Sequence, residues 1–326
     1  MTKVAVTGAS GHLGANLVRE LIARGYEVTA LIRESSDALV GLDITRIQAD
    51  VRDQQSLCEA FRGVEQVYHL AAYISIQAGE TEMLQSINVD GTSNVIKACV
   101  AEAVATLVFF SSIHALDQRP LGWEVTEDNP LLDKDRCQAG DYDFSKAEAE
   151  KLVRENNHPQ LSTRIIYPTA VFGRNDFNHS LLGQAIQKIA SGRLPILVSG
   201  GFNWVDVRDV AWGAVEAVEK GTDRDRFILS GHYLSMVDFA KVISELGGVS
   251  APRITCPLWL AKIFAPPMGI WARIRNESPL YTRDSLNALS AYKEISHSRA
   301  TSILGYQPRE FRQSMRDALD YYANQS

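Results

Sequence analysis

Short apolar runs alternate with amphipathic segments through the first half of the chain. The apolar runs have the length of buried strands and lie at residues 3–7, 27–32, 44–49, 66–70, 107–110 and 164–167. Apolar residues with helical spacing fill the intervals at residues 13–22, 54–61, 80–102 and 142–156. Strands that alternate with helices predict an α/β protein whose parallel sheet is covered on both faces, a doubly wound arrangement. Such sheets bind ligands outside the carboxyl ends of their strands.

The pattern changes after residue 173. Helical segments then dominate, at residues 180–191, 209–220, 236–246, 258–265 and 309–322, with short strand patterns such as residues 226–229. We therefore predict a first domain over residues 1–173 and a smaller, mostly helical region over residues 174–326. Segments around residues 203–230 are expected to return to the first domain. The cleft between the two is the expected substrate site.

The first strand ends at three glycines, Gly8, Gly11 and Gly14, and a helical pattern follows at once. A strand, a glycine turn and a helix N-terminus together can bind the pyrophosphate of a dinucleotide. Gly8 permits the tight turn, Gly11 lets the backbone approach phosphate oxygens, and Gly14 lets the helix pack closely on the strand. The spacing is GxxGxxG rather than GxGxxG, and an ordinary strand-to-helix turn is the alternative. The residues expected to contact a dinucleotide here are Thr7, Gly8, Ser10, Gly11, His12, Leu13 and Gly14.

The composition narrows the class of protein. The 326 residues carry a formal net charge of −6, so no basic excess is available for nucleic acid phosphates. The four cysteines lie far apart and include no CxxC pair, which favours reduced thiols over disulfides or a metal site. The seven histidines include no HExxH motif and no zinc-ligand spacing. We expect a cytoplasmic protein that binds neither nucleic acid nor metal.

One apolar stretch, residues 256–274, could suggest a membrane span. Lys262 and the Pro266-Pro267 pair interrupt it, and its unbroken runs are shorter than the ~20 residues that a span requires. No targeting segment is visible before the first strand. We expect no membrane span here, but a buried helix or a lid over an apolar pocket.

Tyr142 and Lys146 lie four residues apart at the start of a predicted helix, and therefore on one helical face. A phenol has a reference pKa of about 10, too high for acid–base catalysis at neutral pH. A neighbouring lysine ammonium favours the phenolate and lowers that pKa. Such a pair can exchange a proton with an alcohol or carbonyl while a nicotinamide exchanges hydride. A surface pair at helical spacing is the alternative interpretation.

Ser111 and Ser112 follow an apolar strand, so a serine hydroxyl there would lie in the ligand crevice, although a plain turn is the alternative. The glycine turn, the strand-end serine and the YxxxK motif, in this order, resemble the extended branch of the short-chain dehydrogenase/reductase superfamily. This branch is the NAD-dependent epimerase/dehydratase family. Other segments that resemble it, over nearly the whole chain, are residues 70–72, 88–92, 167–173, 203–210, 298–300 and 304–308.

The resemblance implies a Rossmann sheet, a nicotinamide dinucleotide and a role for each matching residue. Tyr142 would be the general acid/base, Lys146 would lower its pKa and hold the nicotinamide ribose, and Ser112 would polarise the substrate oxygen. Asn88 would be structural or hold a water. The other implied cofactor contacts are Asp50 and Val51 at the adenine, Leu70, Ala71 and Ala72 along the ribose and pyrophosphate, Ser111 beside the cofactor, and Pro168, Thr169 and Val171 under the nicotinamide. A homodimer through the helices at residues 80–102 and 142–156 is also implied.

The choice of cofactor depends on Arg33 and Glu34 at the end of the second strand. An arginine at the first position suits the 2′-phosphate of NADP, whereas an acid there would bind the 2′-hydroxyl of NAD. Glu34 would repel a phosphate, and Arg33 could instead simply face solvent. We predict NADP(H) in preference to NAD(H).

Within this branch the chain most resembles dihydroflavonol-4-reductase-like and hydroxysteroid-dehydrogenase-like proteins, on the residues Leu31-Ile32-Arg33. This implies an oxidoreductase that transfers hydride between a nicotinamide and a carbonyl or alcohol of a small apolar or aromatic substrate. The C-terminal residues that could line its site, or instead form the core, are Trp204, Trp259, Phe264, Met268 and Trp271. The expected substrate contacts are Tyr73, His114, Arg174 and Trp204.

Two other functions stay open at this point. A nucleotide-sugar epimerase would keep the same serine, tyrosine and lysine but retain its NAD(P) through the cycle. The cations available for its diphosphate are Arg174, Arg193, Arg208 and Arg283. A dehydratase usually has an acid pair after the catalytic serine, where this chain has Ile113 and His114. A non-catalytic dinucleotide sensor is the third hypothesis, and the intact catalytic set speaks against it.

Overall fold

The computed structural model describes residues 1–75, 79–119, 123–137, 139–264, 286–287, 289 and 294–325. Its strands are β1 (Lys3–Thr7), β2 (Glu27–Ile32), β3 (Thr45–Gln48), β4 (Gln66–His69), β5 (Thr106–Phe110), β6 (Ser162–Pro168), β7 (Ala170–Phe172), β8 (Ile196–Val198), β9 (Gly201–Asp206), β10 (Asp225–Leu229), β11 (His232–Ser235) and β12 (Ile254–Cys256). Its helices include α1 (His12–Ala23), α2 (Gln54–Phe61), α3 (Thr81–Leu84), α4 (Gly91–Ala101), α5 (Asp141–Glu155), α6 (Leu181–Ala190), α7 (Val207–Glu219) and α8 (Met236–Gly247), followed by Ser298–Leu304 and Phe311–Ala323.

Seven strands form one parallel sheet in the order β3-β2-β1-β4-β5-β6-β10. The strand order reverses between β1 and β4, the switch point at which doubly wound sheets bind ligands. Successive residues of β1 point to opposite faces, so Val4 and Val6 pack with α1 and α7 while Ala5 packs with α2 and α4. Helices therefore cover both faces, and the predicted doubly wound α/β fold is confirmed.

The first helix packs an apolar stripe on the sheet. Leu17, Val18 and Leu21 recur at helical spacing along α1 and are fully buried. Burying each such side chain stabilises the fold by roughly 1.5–3 kcal/mol relative to leaving it exposed. This packing fixes the N-terminus of α1 beside the carboxyl end of β1.

A wider turn interrupts the helix predicted at residues 80–102. A π-helical segment, Gln85–Asp90, joins α3 to α4. Within it, the side chain of Asn88 accepts a hydrogen bond from the Tyr73 amide (2.7 Å) and donates to the Tyr73 carbonyl (3.0 Å) and to Ser145 Oγ (2.9 Å). The π-helical turn thus directs Asn88 toward the loop after β4 and toward α5, where it has a structural role.

The second region contains the predicted helices and also two small sheets that the sequence pattern does not predict. One sheet has the order β11-β9-β7, and β8 pairs with β12. These strands have three to six residues, too few for an alternating pattern to stand out. Trp204 on β9 stacks on Phe239 of α8 with the ring centroids 3.8 Å apart, and Phe172 and Phe311 complete this aromatic core.

Part of the second half returns to the large sheet. β10 pairs with β6, and α7 packs on α1. α7 begins at Val207 because the Asp206 carboxylate accepts a hydrogen bond from the Arg208 amide (2.8 Å) and so caps the helix. Farther along the chain, the Tyr306 hydroxyl donates to the carbonyl of Ser230, just after β10 (3.0 Å). Residues 207–229 therefore lie in the layers of the large sheet.

Within the described part of the chain, no helix has the length and apolar character needed to cross a bilayer. The stretch at residues 256–274 is described only as far as Phe264. Met268, Trp271 and Arg283 lie outside the described residues. Among the residues with described positions, no group of three or more His, Cys, Asp or Glu side chains could hold a metal ion.

Candidate active site

The glycine turn brings β1, α1 and the loop after β4 into close contact. Gly8 has a φ of +70°, and a Cβ built on it would lie 2.7 Å from the Ala71 amide nitrogen. A Cβ on Gly14 would collide with the carbonyl oxygen of Gly8. Gly11 is the N-cap of α1, where no side chain caps the helix and no acidic residue occupies the first turn. The positive end of the helix dipole is therefore available to an anion, which fits the pyrophosphate of a dinucleotide.

A buried chain of hydrogen bonds lies below this turn. Thr7 Oγ1 accepts hydrogen bonds from the amides of Leu70 (3.2 Å) and Ala71 (3.1 Å), so its own proton is directed at His69 Nδ1 (2.8 Å). His69 Nε2 lies 3.0 Å from Thr92 Oγ1 and is then the protonated nitrogen. Burial, together with the charge of Lys146, lowers the pKa of His69 to about 3, so the ring is neutral. The Thr7 hydroxyl is engaged in the fold, so a contact with cofactor would use its backbone.

Other residues of the turn are held from the second half of the chain. His12 Nε2 lies 3.1 Å from the Arg174 carbonyl oxygen, and burial lowers the pKa of His12. Asn178 Nδ2 donates to the carbonyl of Ser10 (3.0 Å). Leu13 packs against the core under α1. The loop after β7 therefore lies directly against the candidate pyrophosphate site.

Ser112 and Tyr142 meet at the carboxyl end of β5. Ser112 Oγ accepts a hydrogen bond from the His114 amide (3.2 Å), which fixes the serine at the start of a short 3₁₀ turn. Tyr142 lies in the first turn of α5. Burial raises the pKa of Tyr142 strongly, the Asp143 carboxylate raises it further, and a hydrogen bond with the Ser112 side chain opposes these effects. The phenol is therefore protonated at neutral pH and directed at the serine.

The side chain of Lys146 is held at the carboxyl end of β5. Its Nζ donates to the Phe110 carbonyl (2.5 Å) and lies 4.5 Å from the centre of the Phe109 ring. Burial lowers the pKa of Lys146 to about 8, and the charge of Glu150 opposes this shift. Burial raises the pKa of Tyr142, and the predicted effect of Lys146 on this phenol stays a prediction. The ammonium is held by the end of β5 instead of by the phenol.

The two adjacent serines have different roles. The side chain of Ser111 is buried and donates to Glu150 Oε2 on α5, at 2.5 Å, while its amide donates to the Ile166 carbonyl of β6 (2.8 Å). Its hydroxyl therefore points into the protein, and the position of Ser111 beside the cofactor stays a prediction. Glu150 was not anticipated as part of the site. Its place four residues after Lys146, on the same face of α5, is the signal that could have identified it.

At the far side of the turn, Asp50 is paired with Arg52 through Nε (3.0 Å) and Nη2 (2.6 Å). This hydrogen-bonded pair lowers the pKa of Asp50, and Arg33 adds a smaller effect in the same direction. Arg33 is exposed near this carboxylate. Val51 is buried against Gly91, where a Cβ would lie 2.8 Å from Val51 Cγ2.

The predicted nicotinamide side is formed by the end of β6 and by β7. Pro168 is the last residue of β6, and Val171 packs against the main core. Thr169 Oγ1 donates to Asn203 Oδ1 (3.1 Å). Ala72 lies in the loop after β4, half-buried, between Ala71 and the anchored Tyr73.

The four expected substrate contacts differ in their surroundings. Trp204 is 1% exposed and stacked in the aromatic core, which corrects the prediction that it lines an accessible site. Tyr73 is half-buried, and its pKa is raised by burial and by a hydrogen bond with Glu80. His114 is half-buried, and its charge lowers the pKa of Asp143 against the stronger effect of burial. Arg174 has an exposed side chain.

Comparison with known proteins gives a family match and several similar chains. The model of the NAD dependent epimerase/dehydratase family matches residues 4–229. Sterol demethylase protein B of Methylococcus capsulatus is 34% identical over 97% of each chain, and a putative dihydroflavonol 4-reductase of Synechocystis is 30% identical over 98% of this chain and 94% of its own. The crystal structure of gox2253 has a TM-score of 0.85 at 30% identity, covering 100% of this chain and 99% of that one. A Thermus thermophilus UDP-glucose 4-epimerase in complex with NAD shares the fold. It has a TM-score of 0.78 at 20% identity and covers 100% of both chains.

Fold and site thus define a nicotinamide-dinucleotide oxidoreductase of the extended short-chain type. The chain belongs to the NAD dependent epimerase/dehydratase family, as the resemblance predicted. The prediction of an enzyme is confirmed at this level, and relatives named as reductases and dehydrogenases confirm the oxidoreductase class.

Proposed function

We propose that this protein is an NADP(H)-dependent reductase of a carbonyl on an apolar, sterol-sized substrate. The observation that carries the proposal is the pairing of a protonated Tyr142 with Ser112 at the carboxyl end of β5. A relative named sterol demethylase protein B, aligned over 97% of both chains, supports the substrate class. The test measures NADPH consumption by the purified protein with a steroid ketone and with a dihydroflavonol, and in parallel the conversion of UDP-glucose to its C4 epimer by product chromatography. Turnover of the ketone alone supports the proposal, and turnover of UDP-glucose alone contradicts it.

The protein side of the reaction is proton transfer. Ser112 donates a hydrogen bond to the substrate carbonyl oxygen and polarises it, while the Tyr142 phenol gives its proton to that oxygen. Burial keeps the phenol protonated, which is the form that reduction requires. The nicotinamide dinucleotide supplies the hydride when bound. Oxidation of the alcohol, the reverse reaction, would require Tyr142 in its deprotonated form.

The glycine turn and the N-terminus of α1 would hold the pyrophosphate, and Lys146 the nicotinamide ribose. Arg33 supports the choice of NADP because it is exposed and, within the described residues, its guanidinium forms no ion pair. Ser35 and Ser36, which follow it closely, line a cavity of about 570 Å³ that also contacts Asn178 beside Ser10. Asp37 in the same cavity would oppose a phosphate. Titration with NADPH and NADH tests the preference, and equal affinities would contradict it.

A nucleotide-sugar epimerase is the second candidate because Arg174 presents an exposed side chain near the turn. Arg208, also expected to be available for a diphosphate, is paired with Asp206 (2.6 Å) and Asp317 (2.7 Å) instead. An epimerase regenerates its cofactor in place, so a dinucleotide that copurifies and resists dialysis would favour this candidate over the reductase.

We propose that the protein works in the cytoplasm as a homodimer. All four cysteines are free, which suits a reducing compartment. The dimer would form through α4 and α5, as the family resemblance implies. Light scattering after size-exclusion chromatography tests the dimer, and a monomeric mass at micromolar concentration would contradict it.

A further inference from the structure

Glu150 is a fully buried carboxylate directly behind the catalytic lysine. It lies one helical turn after Lys146 on α5, with 0% of its surface exposed. Its Oε2 accepts the Ser111 hydroxyl, and its Oε1 accepts the Tyr167 hydroxyl and Arg154 Nε (2.8 Å). Removing an ionised carboxylate from water is costly unless partners compensate for it. Both oxygens of this carboxylate accordingly accept hydrogen bonds.

This network reaches Lys146 by two routes. One is electrostatic, because residues four apart on a helix are neighbours, and Lys146 and Glu150 are both buried away from the solvent that would screen their charges. The other is mechanical. Ser111, held by Glu150, directly follows Phe110, whose carbonyl accepts the hydrogen bond from Lys146 Nζ. The same carboxylate therefore acts on the charge of the ammonium and on the position of its acceptor.

We propose that Glu150 is a positioning residue that keeps Lys146 charged and in place for the proton transfer at Tyr142. The proposal deepens the reductase function proposed above and rests on it for its kinetic consequence. The ionisable groups that face Lys146 and Glu150 lie on β4, α5 and β6. Lys146 faces the neutral His69 of β4 in addition to Glu150, and Glu150 faces Arg154 of its own helix and Tyr167 of β6.

Glu150 and Arg154 carry opposite charges, so removing one or the other should shift the titration midpoint of Lys146 in opposite directions. A merely structural role of Glu150 would not produce these opposite shifts. Glu150→Gln removes the negative charge and should lower the titration midpoint of Lys146 by ~1 pH unit. Arg154→Gln removes the cation 2.6 Å from Glu150 and should raise that midpoint. Glu150→Asp keeps the charge and should restore most of the wild-type value. Glu155→Gln, which removes an exposed carboxylate on the same helix, is the matched control and should change nothing.

The midpoint is measured by NMR on protein carrying ¹³C-labelled lysine, with the Lys146 signal assigned by its loss in Lys146→Arg. This measurement needs neither substrate nor cofactor, so it stands even if the reductase function fails. The proposal is overturned if Lys146 has the same titration midpoint in Glu150→Gln as in the Glu155→Gln control. If Glu150→Gln does not fold, Arg154→Gln decides, and an unchanged or lowered midpoint overturns the proposal.

The kinetic consequence is a shift in the pH profile. Reduction by Glu150→Gln should lose rate with rising pH about one unit earlier than reduction by the wild type, because its Lys146 loses the proton earlier. Below that limb the two rates should converge. A uniform loss of rate at every pH would show a structural defect and overturn the positioning role.

Discussion

The carboxyl end of the large sheet and the aromatic core of the second region are both buried, but different interactions hold them. At the sheet, Thr7, His69 and Glu150 have hydrogen-bond partners within 3.2 Å. In the second region, Trp204 and Phe239 stack face to face, and among the described residues Trp204 Nε1 has no hydrogen-bond partner. Directional bonds demand particular residue types, whereas packing demands mainly volume. The sequence of the first region therefore indicates its chemistry, whereas that of the second does not indicate which aromatic residues pack together.

The largest effect is expected when the phenol hydroxyl of Tyr142, at the carboxyl end of the large sheet, is removed. Tyr142→Phe should lower kcat by about 10²–10⁴-fold because the general acid is lost, while dinucleotide affinity and the thermal midpoint stay unchanged. Steady-state kinetics and a cofactor titration measure the two effects. Tyr26→Phe, which removes a hydroxyl that donates to Glu219 on the outer surface, is the control. Full activity in Tyr142→Phe would remove the tyrosine from the mechanism.

The aromatic core should respond in stability. Trp204→Ala should reduce the free energy of unfolding by about 3–5 kcal/mol, because a large buried side chain is deleted from a packed core. Urea denaturation measures this loss. Trp259→Ala is the control, since Trp259 is 66% exposed and its removal should cost less than about 0.5 kcal/mol. Equal losses for the two variants would contradict the described core.

Low pH should reduce the stability of the fold through the buried His69 at the carboxyl end of the large sheet. The folded protein keeps His69 neutral down to a pKa of about 3, whereas the unfolded chain protonates it near pH 6.5. Unfolding therefore takes up a proton between these values, and stability falls as the pH drops below 6.5. At pH 5 the loss from this group is about 2 kcal/mol. His69→Gln should flatten the pH dependence of unfolding between pH 6.5 and 5, and an unchanged slope would exclude His69 as its source.

The smallest effect is expected at the rim of the cofactor site. Arg33→Ser should weaken NADPH binding about tenfold because one charge-assisted contact with the 2′-phosphate is lost. NADH has no such phosphate, so its binding should be unchanged. Isothermal titration with both dinucleotides gives the ratio. Arg62→Ser changes an exposed arginine after α2 and should alter neither affinity. Parallel weakening of both dinucleotides would show that Arg33 does not select the phosphate.

The sequence predicts the fold, and it predicts that the candidate catalytic residues lie at strand and helix ends, because both depend on local spacing. Gly8, Ser112 and Tyr142 occupy positions set by the end of a strand or the start of a helix. The directions of the Ser111 hydroxyl and of Lys146 Nζ could not be predicted in this way. They depend on Glu150 and on the Phe110 carbonyl, and these contacts exist only once β5 and α5 have packed together.

The role predicted for Trp204 fails for a related reason. An aromatic residue in a substrate region can face the ligand or the core, and composition does not distinguish the two. The structure does, because Phe239 lies 35 residues after Trp204 in the chain and still stacks on the Trp204 ring. Such long-range contacts leave no local pattern.

The return of β10 to the large sheet has a consequence for the order of assembly. Ile228 pairs with Tyr167 across the whole of residues 169–224, so the last strand can be added only after a long stretch of chain has been synthesised and folded back. Until then β6 is an open edge with unpaired amides and carbonyls that could pair with another molecule. A nascent or truncated chain ending near residue 173 is thus a species at risk of aggregation, because β10, which covers this edge, lies more than 50 residues farther along the chain.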